Sequence, residues 1–109
     1  MTVECFAKLS GFKVITLPHP DKEIDGAYVG DLLSWVMGRA EAGNLWITIM
    51  SNVNVVAVAS LADISAVILA EGVSLDDDVV TVAAEKGINV LSTEANAYLT
   101  AKKVAELIS

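Results

Sequence analysis

The chain has 109 residues, with 7 Lys and Arg against 14 Asp and Glu, a net charge of −7 at neutral pH. At this length roughly 65% of the unfolded surface is buried on folding, enough for one domain with an ordinary core and no covalent staples. The composition excludes a disordered, collagen-like or disulfide-stapled chain. Hydrophobic residues make up 54%; with glycine counted and tyrosine left out the share rises to about 59%, where roughly 45–50% is usual. A domain this small cannot hide such an excess in one core, so a subunit or partner interface is expected. The acidic balance, without a cluster of Lys and Arg, opposes binding to nucleic acid or to an anionic membrane surface. One cysteine, Cys5, cannot close an intramolecular disulfide, which suits a reducing compartment. The first residues, Met1-Thr2-Val3-Glu4, carry no basic segment followed by an apolar one, and no apolar run approaches the ~18 residues of a membrane span. The expectation is a soluble, cytoplasmic protein.

In chain order, Thr2 is placed to cap a short helix in which Val3, Phe6, Ala7 and Leu9 keep helical spacing, and Gly11 to end it. The run Phe12-Lys13-Val14-Ile15-Thr16-Leu17 reads as a strand. Pro18-His19-Pro20 stops it, because both prolines lack an amide donor and restrict the residue before them. After a surface loop to Glu23, residues 24–29 form a weaker strand interrupted by Gly26. Asp31 offers a carboxylate to the free amides of a helix over residues 32–42, with Gly43 as its terminator. Leu33, Val36, Met37 and Ala40 make its core stripe, which leaves Trp35 and Arg39 off it. Residues 44–50 hold Leu45-Trp46-Ile47-Thr48-Ile49, a β-branched and aromatic run that reads as a central strand.

Residues 51–61 are ambiguous: the β-branched content argues strand, the Asn caps and small apolar residues permit a buried helix, and periodicity does not decide. Residues 64–70 read as a short buried strand ended by Glu71-Gly72. Ser74 with Asp77 makes a capping-box pattern that opens a helix with Val79, Val80, Ala83 and Ala84 toward the core, before Gly87. Ile88-Asn89-Val90-Leu91 is the last strand. Thr93 is placed to cap a final helix in which Tyr98, Ala101, Ala105 and Ile108 recur at three- and four-residue steps. The second half therefore alternates strand and helix with short connections, which predicts a single α/β domain over residues 1–109 with a largely parallel sheet and flanking helices. No repeat, linker or low-complexity tract divides it.

Four blocks carry a family resemblance: Tyr28-Val29-Gly30-Asp31-Leu32-Leu33-Ser34, Gly43-Asn44-Leu45-Trp46-Ile47-Thr48, Glu71-Gly72, and Val90-Leu91-Ser92-Thr93. In this order and spacing they resemble the DRTGG domain over nearly the whole chain. The resemblance implies a fold similar to the N-terminal domain of HPr kinase/phosphorylase and favours the helix reading for residues 53–61. It also implies a regulatory, dimerising module without catalytic activity of its own. Such domains occur inside phosphotransacetylases and CBS-containing pyrophosphatases and as small stand-alone proteins. Where the family commonly carries Gly-Asp-Arg after the central strand, this chain has Met50-Ser51-Asn52-Val53. Where the family carries Thr-Gly-Gly, it has Ala70-Glu71-Gly72.

Ligands of open parallel sheets bind outside the strand carboxyl ends. Ser51-Asn52, Glu71-Gly72 and Ser92-Thr93 each follow a predicted strand and are the candidate ligand-binding residues, for a small metabolite; as plain structure they are turns and caps. Helix amino termini at that edge would attract an anion. Glu71 and Glu94 add negative charge there with no nearby Lys or Arg to offset it, so phosphate-bearing nucleotides are expected to bind no tighter than millimolar. Asp76-Asp77-Asp78 offers oxygens that suit a hard cation, but consecutive helical residues point about 100° apart, and the helix dipole already explains acids in a first turn.

His19 has no second His or Cys partner for zinc or nucleophilic catalysis. Cys5, at helical spacing beside apolar residues, reads as a buried thiol. Tyr28 and Trp35 are candidate interface residues because large amphipathic rings off a core stripe favour interfaces, with a packed core position as the alternative. No Walker loop, dinucleotide fingerprint, nucleophile elbow or zinc spacing occurs, so no catalytic residue, metal or cofactor is assigned. The leading expectation is a cytoplasmic regulatory or scaffold domain that forms a homodimer and acts through protein contacts. The alternative is a metabolite sensor that binds at the strand carboxyl ends, and a small enzyme ranks third.

Overall fold

The computed structural model describes residues 1–108. Among them the order is α1 (Val3–Ser10), β1 (Lys13–Thr16), β2 (Ala27–Val29), α2 (Leu33–Arg39), β3 (Leu45–Thr48), α3 (Val53–Leu61), β4 (Ala66–Leu69), α4 (Asp77–Glu85), β5 (Val90–Ser92) and α5 (Ala97–Ile108). The strands form one sheet in the order β1-β5-β4-β3-β2. Pairing is parallel from β2 through β5, while β1 joins β5 antiparallel, with an irregular register between Val14 and Thr16. The largely parallel α/β sheet is the architecture the alternating pattern predicts.

Successive strand residues point to opposite faces, and both faces are covered. Trp46, Val67, Leu69 and Val90 meet Val36 of α2, Val55, Val56 and Ala59 of α3, and Val79 and Ala83 of α4. On the other face Leu45, Ile47, Ile68 and Leu91 meet Val3, Phe6 and Ala7 of α1 and Val104 of α5. The ambiguous segment is α3. Its buried residues Val55, Val56, Val58 and Ala59 lie on one side of the axis, but the exposed Val53, Ala57 and Leu61 on the other side are apolar too, so the sequence shows no stripe. Asn52 supplies the start signal, its Oδ1 accepting from the Asn54 N–H at 2.9 Å.

Several local expectations are corrected by longer-range partners. Asp31 does not cap α2: Leu32 holds that position without a side-chain bond, and Asp31 Oδ1 accepts from the Thr48 hydroxyl at 2.8 Å and the Ile49 N–H at 3.0 Å. The helix ends at Ala40, well before Gly43, and Met37 of the expected stripe is exposed. Asp76, rather than Ser74, occupies the cap position of α4. The last helix starts later than expected, with Asn96 Oδ1 accepting from the Leu99 N–H at 2.9 Å, so Thr93 is left in the preceding turn, where its Oγ1 accepts from the Ala95 N–H at 3.2 Å. The buried stripe of α5 is Thr100 and Val104; Tyr98, two residues before Thr100, faces away from it and is 75% exposed. Cys5 is exposed as well, because α1 turns Val3, Phe6 and Ala7 inward.

The loop of Pro18 and Pro20 is held by Asn89, which is 1% exposed. Its Oδ1 accepts from the His19 N–H at 2.9 Å, and its Nδ2 donates to the carbonyls of His19 at 2.8 Å and Ser65 at 3.0 Å. His19 thus serves through its backbone while its ring stays in solvent beside Asp21, 3.5 Å away. Asn89→Leu strands those three backbone groups and is expected to lower stability by about 3 kcal/mol in urea denaturation. His19→Ala should change it by no more than about 0.5 kcal/mol.

Candidate functional site

Because β2 to β5 run in parallel, their carboxyl ends and the loops that follow gather at one edge of the sheet. The antiparallel β1 begins at that edge, which sets Lys13 opposite Ser92. Of the six candidate ligand residues, four come together. The Thr93 N–H donates to the Leu69 carbonyl at 2.9 Å, the Gly72 N–H to the Thr93 carbonyl at 2.9 Å, and the Glu71 N–H to the Ala95 carbonyl at 2.8 Å. Ser92 precedes this knot directly. Ser51 and Asn52 stand apart from it, Asn52 being engaged at the start of α3.

The Glu71-Gly72 turn is tight, with φ of 61° and 71°, and the Val73 N–H closes it onto the Ala70 carbonyl at 3.2 Å. Two left-handed residues in succession suit glycine at both positions. Glu71 adopts this conformation at a cost of about 1 kcal/mol. A side chain at Gly72 would collide with the Glu94 carboxylate. The amides of Glu71 and Gly72 are already donating within the protein, so this turn presents no nest for an anion.

Beside the knot lies a cleft in two adjoining parts. One, of about 320 Å³, is lined by Gly11, Lys13, Ser92, Thr93 and Glu94. The other, of about 470 Å³, is lined by Ser10, Gly11, Phe12, Thr93, Ala95, Leu99, Lys102, Lys103 and Glu106. The sequence-based expectation that no cation stands near this edge is thereby corrected: β1 and α5 bring three. A reading along the chain misses them because Lys13 arrives only through the antiparallel pairing of β1 with β5. The assignment of that pairing would have been the signal.

The two interface candidates differ from each other. Tyr28 is half-buried and packs against the α2–α4 core, its ring so close over Gly30 that a Cβ there would lie 2.9 Å from Tyr28 Cε2. Trp35 is 53% exposed, with the Arg39 guanidinium 3.9 Å from its ring centroid. A mainly apolar groove of about 340 Å³, lined by Gly26, Ala27, Val29, Ile47, Ala101, Val104, Ala105 and Ile108, runs beside β2. Among the described residues no three His, Cys, Asp or Glu side chains converge as metal ligands, and no helix is long and apolar enough to cross a membrane.

A doubly covered, mostly parallel sheet with a tight glycine turn after β4 defines an α/β domain, and its sequence assigns it further. The model of the DRTGG domain matches residues 23–107, and the chain belongs to that family. Among solved structures it is similar to the CBS and DRTGG domains of the regulatory region of Clostridium perfringens pyrophosphatase, in a crystal structure complexed with the activator diadenosine tetraphosphate. The TM-score is 0.75 at 10% identity, over 94% of this chain and 45% of that one. At that identity the likeness is one of fold, and this chain spans less than half of the solved one. No curated protein matches the sequence.

The turn geometry yields a paired expectation for thermal melts. Glu71→Gly relieves the left-handed conformation and should raise stability by up to about 1 kcal/mol. Asn96→Ala removes the acceptor at the start of α5 and should lower it by about 1 kcal/mol.

Proposed function

We propose that the chain is a non-catalytic, cytoplasmic regulatory or scaffold domain that forms a homodimer and acts through protein contacts. The observation that carries this reading is the apolar surface around β2. Its outer edge pairs with no strand among the described residues, and Val29, Leu32 and Trp35 are 50%, 60% and 53% exposed around it. An uncovered edge with free N–H and C=O groups invites strand addition, and the neighbouring groove would accept apolar side chains from the added segment. The free, exposed thiol of Cys5 suits a reducing compartment.

The domain is taken to include α1 and β1, although the family match begins at residue 23, because Val3, Phe6 and Ala7 share a core with Leu45 and Ile68. A second reading, a metabolite sensor at the strand carboxyl ends, is supported by the cleft beside Thr93 and by the activator-bound regulatory region that shares the fold.

Light scattering over a wide concentration range tests the leading reading, with a dimer expected at tens of micromolar. Val29→Lys sets a charge at the edge and groove and should give a monomer at that concentration with an unchanged circular dichroism spectrum. Trp35→Glu should weaken assembly to the extent that α2 takes part. A parent protein that stays monomeric throughout, with no partner present, overturns the proposal.

A further inference from the structure

We propose that the cleft between β1, β5 and α5 binds a small organic polyanion carrying a flat ring, of the nucleoside polyphosphate class. The inference rests on the sensor reading of this edge and supplies its ligand class. Its first support is the distribution of cations. Of the seven Lys and Arg in the chain, Lys8 is paired with Glu4 at 3.2 Å and Lys22 with Asp63 at 2.6 Å, Arg39 is stacked on Trp35, and Lys86 stands by itself among the described residues, at the end of α4. Lys13 and, far from it in sequence, the adjacent Lys102 and Lys103 all line the one cleft. None of them has a carboxylate within 4.0 Å among the described residues, although Glu94 and Glu106 line the same cleft.

Three cations against two acids leave a net positive spot on a chain of net charge −7. The Glu94 carboxylate, moreover, lies against Gly72 in the turn after β4. A positive cleft on an acidic protein concentrates anions locally, since the like-charged remainder repels them elsewhere.

The second support is the lining. Phe12 stands edge-on to Phe6, with ring centroids 5.7 Å apart, and Leu99 is 49% exposed; together they give a ring an apolar wall. Thr93 accepts from the Ala95 N–H and keeps its own hydroxyl proton to donate to an anionic oxygen. Lys13 lines the smaller part and Lys102 and Lys103 the larger, so charges spaced along one ligand engage the lysines better than a single carboxylate does. The volumes fall in the range of small-molecule sites, roughly 300–1,000 Å³.

Calorimetry at low ionic strength with ATP, inorganic pyrophosphate and adenosine tests the class. ATP is expected to bind in the micromolar range, pyrophosphate more weakly, and adenosine not measurably, with ATP affinity falling as salt is raised. Lys13→Glu, and separately Lys102→Glu combined with Lys103→Glu, should each weaken ATP binding by about tenfold or more. Lys86→Glu at the end of α4, outside this cleft, should leave it within about twofold. All these lysines are exposed, so unchanged melting temperatures verify the fold. ATP binding no tighter than millimolar in the parent overturns the proposal, as does binding that survives both cleft variants or falls equally with Lys86→Glu. A neutral metabolite that binds where ATP does not would retain the sensor and reject this ligand class.

Discussion

Every position of β3 and of β4 is buried. A strand that is apolar toward both faces cannot be solvated on either, so it requires a helical layer above and another below. The connections between the parallel strands supply one layer, α2 to α4, and the other has to come from the two ends of the chain, α1 and α5. This is the physical reason that the N-terminal helix belongs with the sheet, even though the family match starts after it. The polar groups at the margins of these strands follow the same constraint. Asn44, Ser65 and Asn89 are buried, and each is hydrogen-bonded: Asn44 to the Asp25 carbonyl and the Glu41 N–H, Ser65 to the Glu23 carbonyl, Asn89 to the His19 loop. They tie the peripheral loops to a centre whose own polar side-chain groups, Trp46 Nε1 and the Thr48 hydroxyl, donate to the Gly30 carbonyl and to Asp31.

What can be read from sequence here is what short-range chemistry decides. Thr2 and Gly11 bracket α1 as their residue types require, and the β-branched runs at Leu45 and Ala66 mark interior strands. The readings that fail are those in which a local motif competes with a distant partner. Asp31 sits where a cap would, yet the Thr48 hydroxyl and the Ile49 amide draw it to the end of β3. The stripe expected for α5 holds at Ala101 and Ile108, which pack against the α1–α5 core, while Thr100 and Val104 are buried in place of Tyr98, which faces out. In α3 the sequence shows no stripe to be read, and the family resemblance favours the helix that periodicity leaves open.

The candidate site divides along the same line. Glu71, Gly72, Ser92 and Thr93 were legible as neighbours, because adjacent parallel strands place successive loops side by side. Ser51 and Asn52 follow a strand by the same rule, but Asn52 caps α3 instead. The lysines were hidden because Lys13 meets β5 through an antiparallel addition that no alternating pattern announces. The resulting cleft and the apolar surface of β2 lie toward opposite ends of the strand order. A small molecule at one therefore leaves the other uncovered, an arrangement that suits a module whose contacts are to be regulated rather than blocked.

The two borders of the sheet are unlike, and the irregularity in β1 bears on the geometry open to the proposed dimer. At that border the register slips between Val14 and Thr16, Lys13 projects into solvent, and Pro18 and Pro20 follow closely. Bulges, lysines and prolines are the features that keep a border strand from accepting another. The β2 border has none of them. Head-to-tail stacking into a fibre requires two different receptive borders on each copy. With only one, a sheet that extends across copies has to meet the same strand of its mate about a twofold axis, and it ends there, at ten strands and two chains.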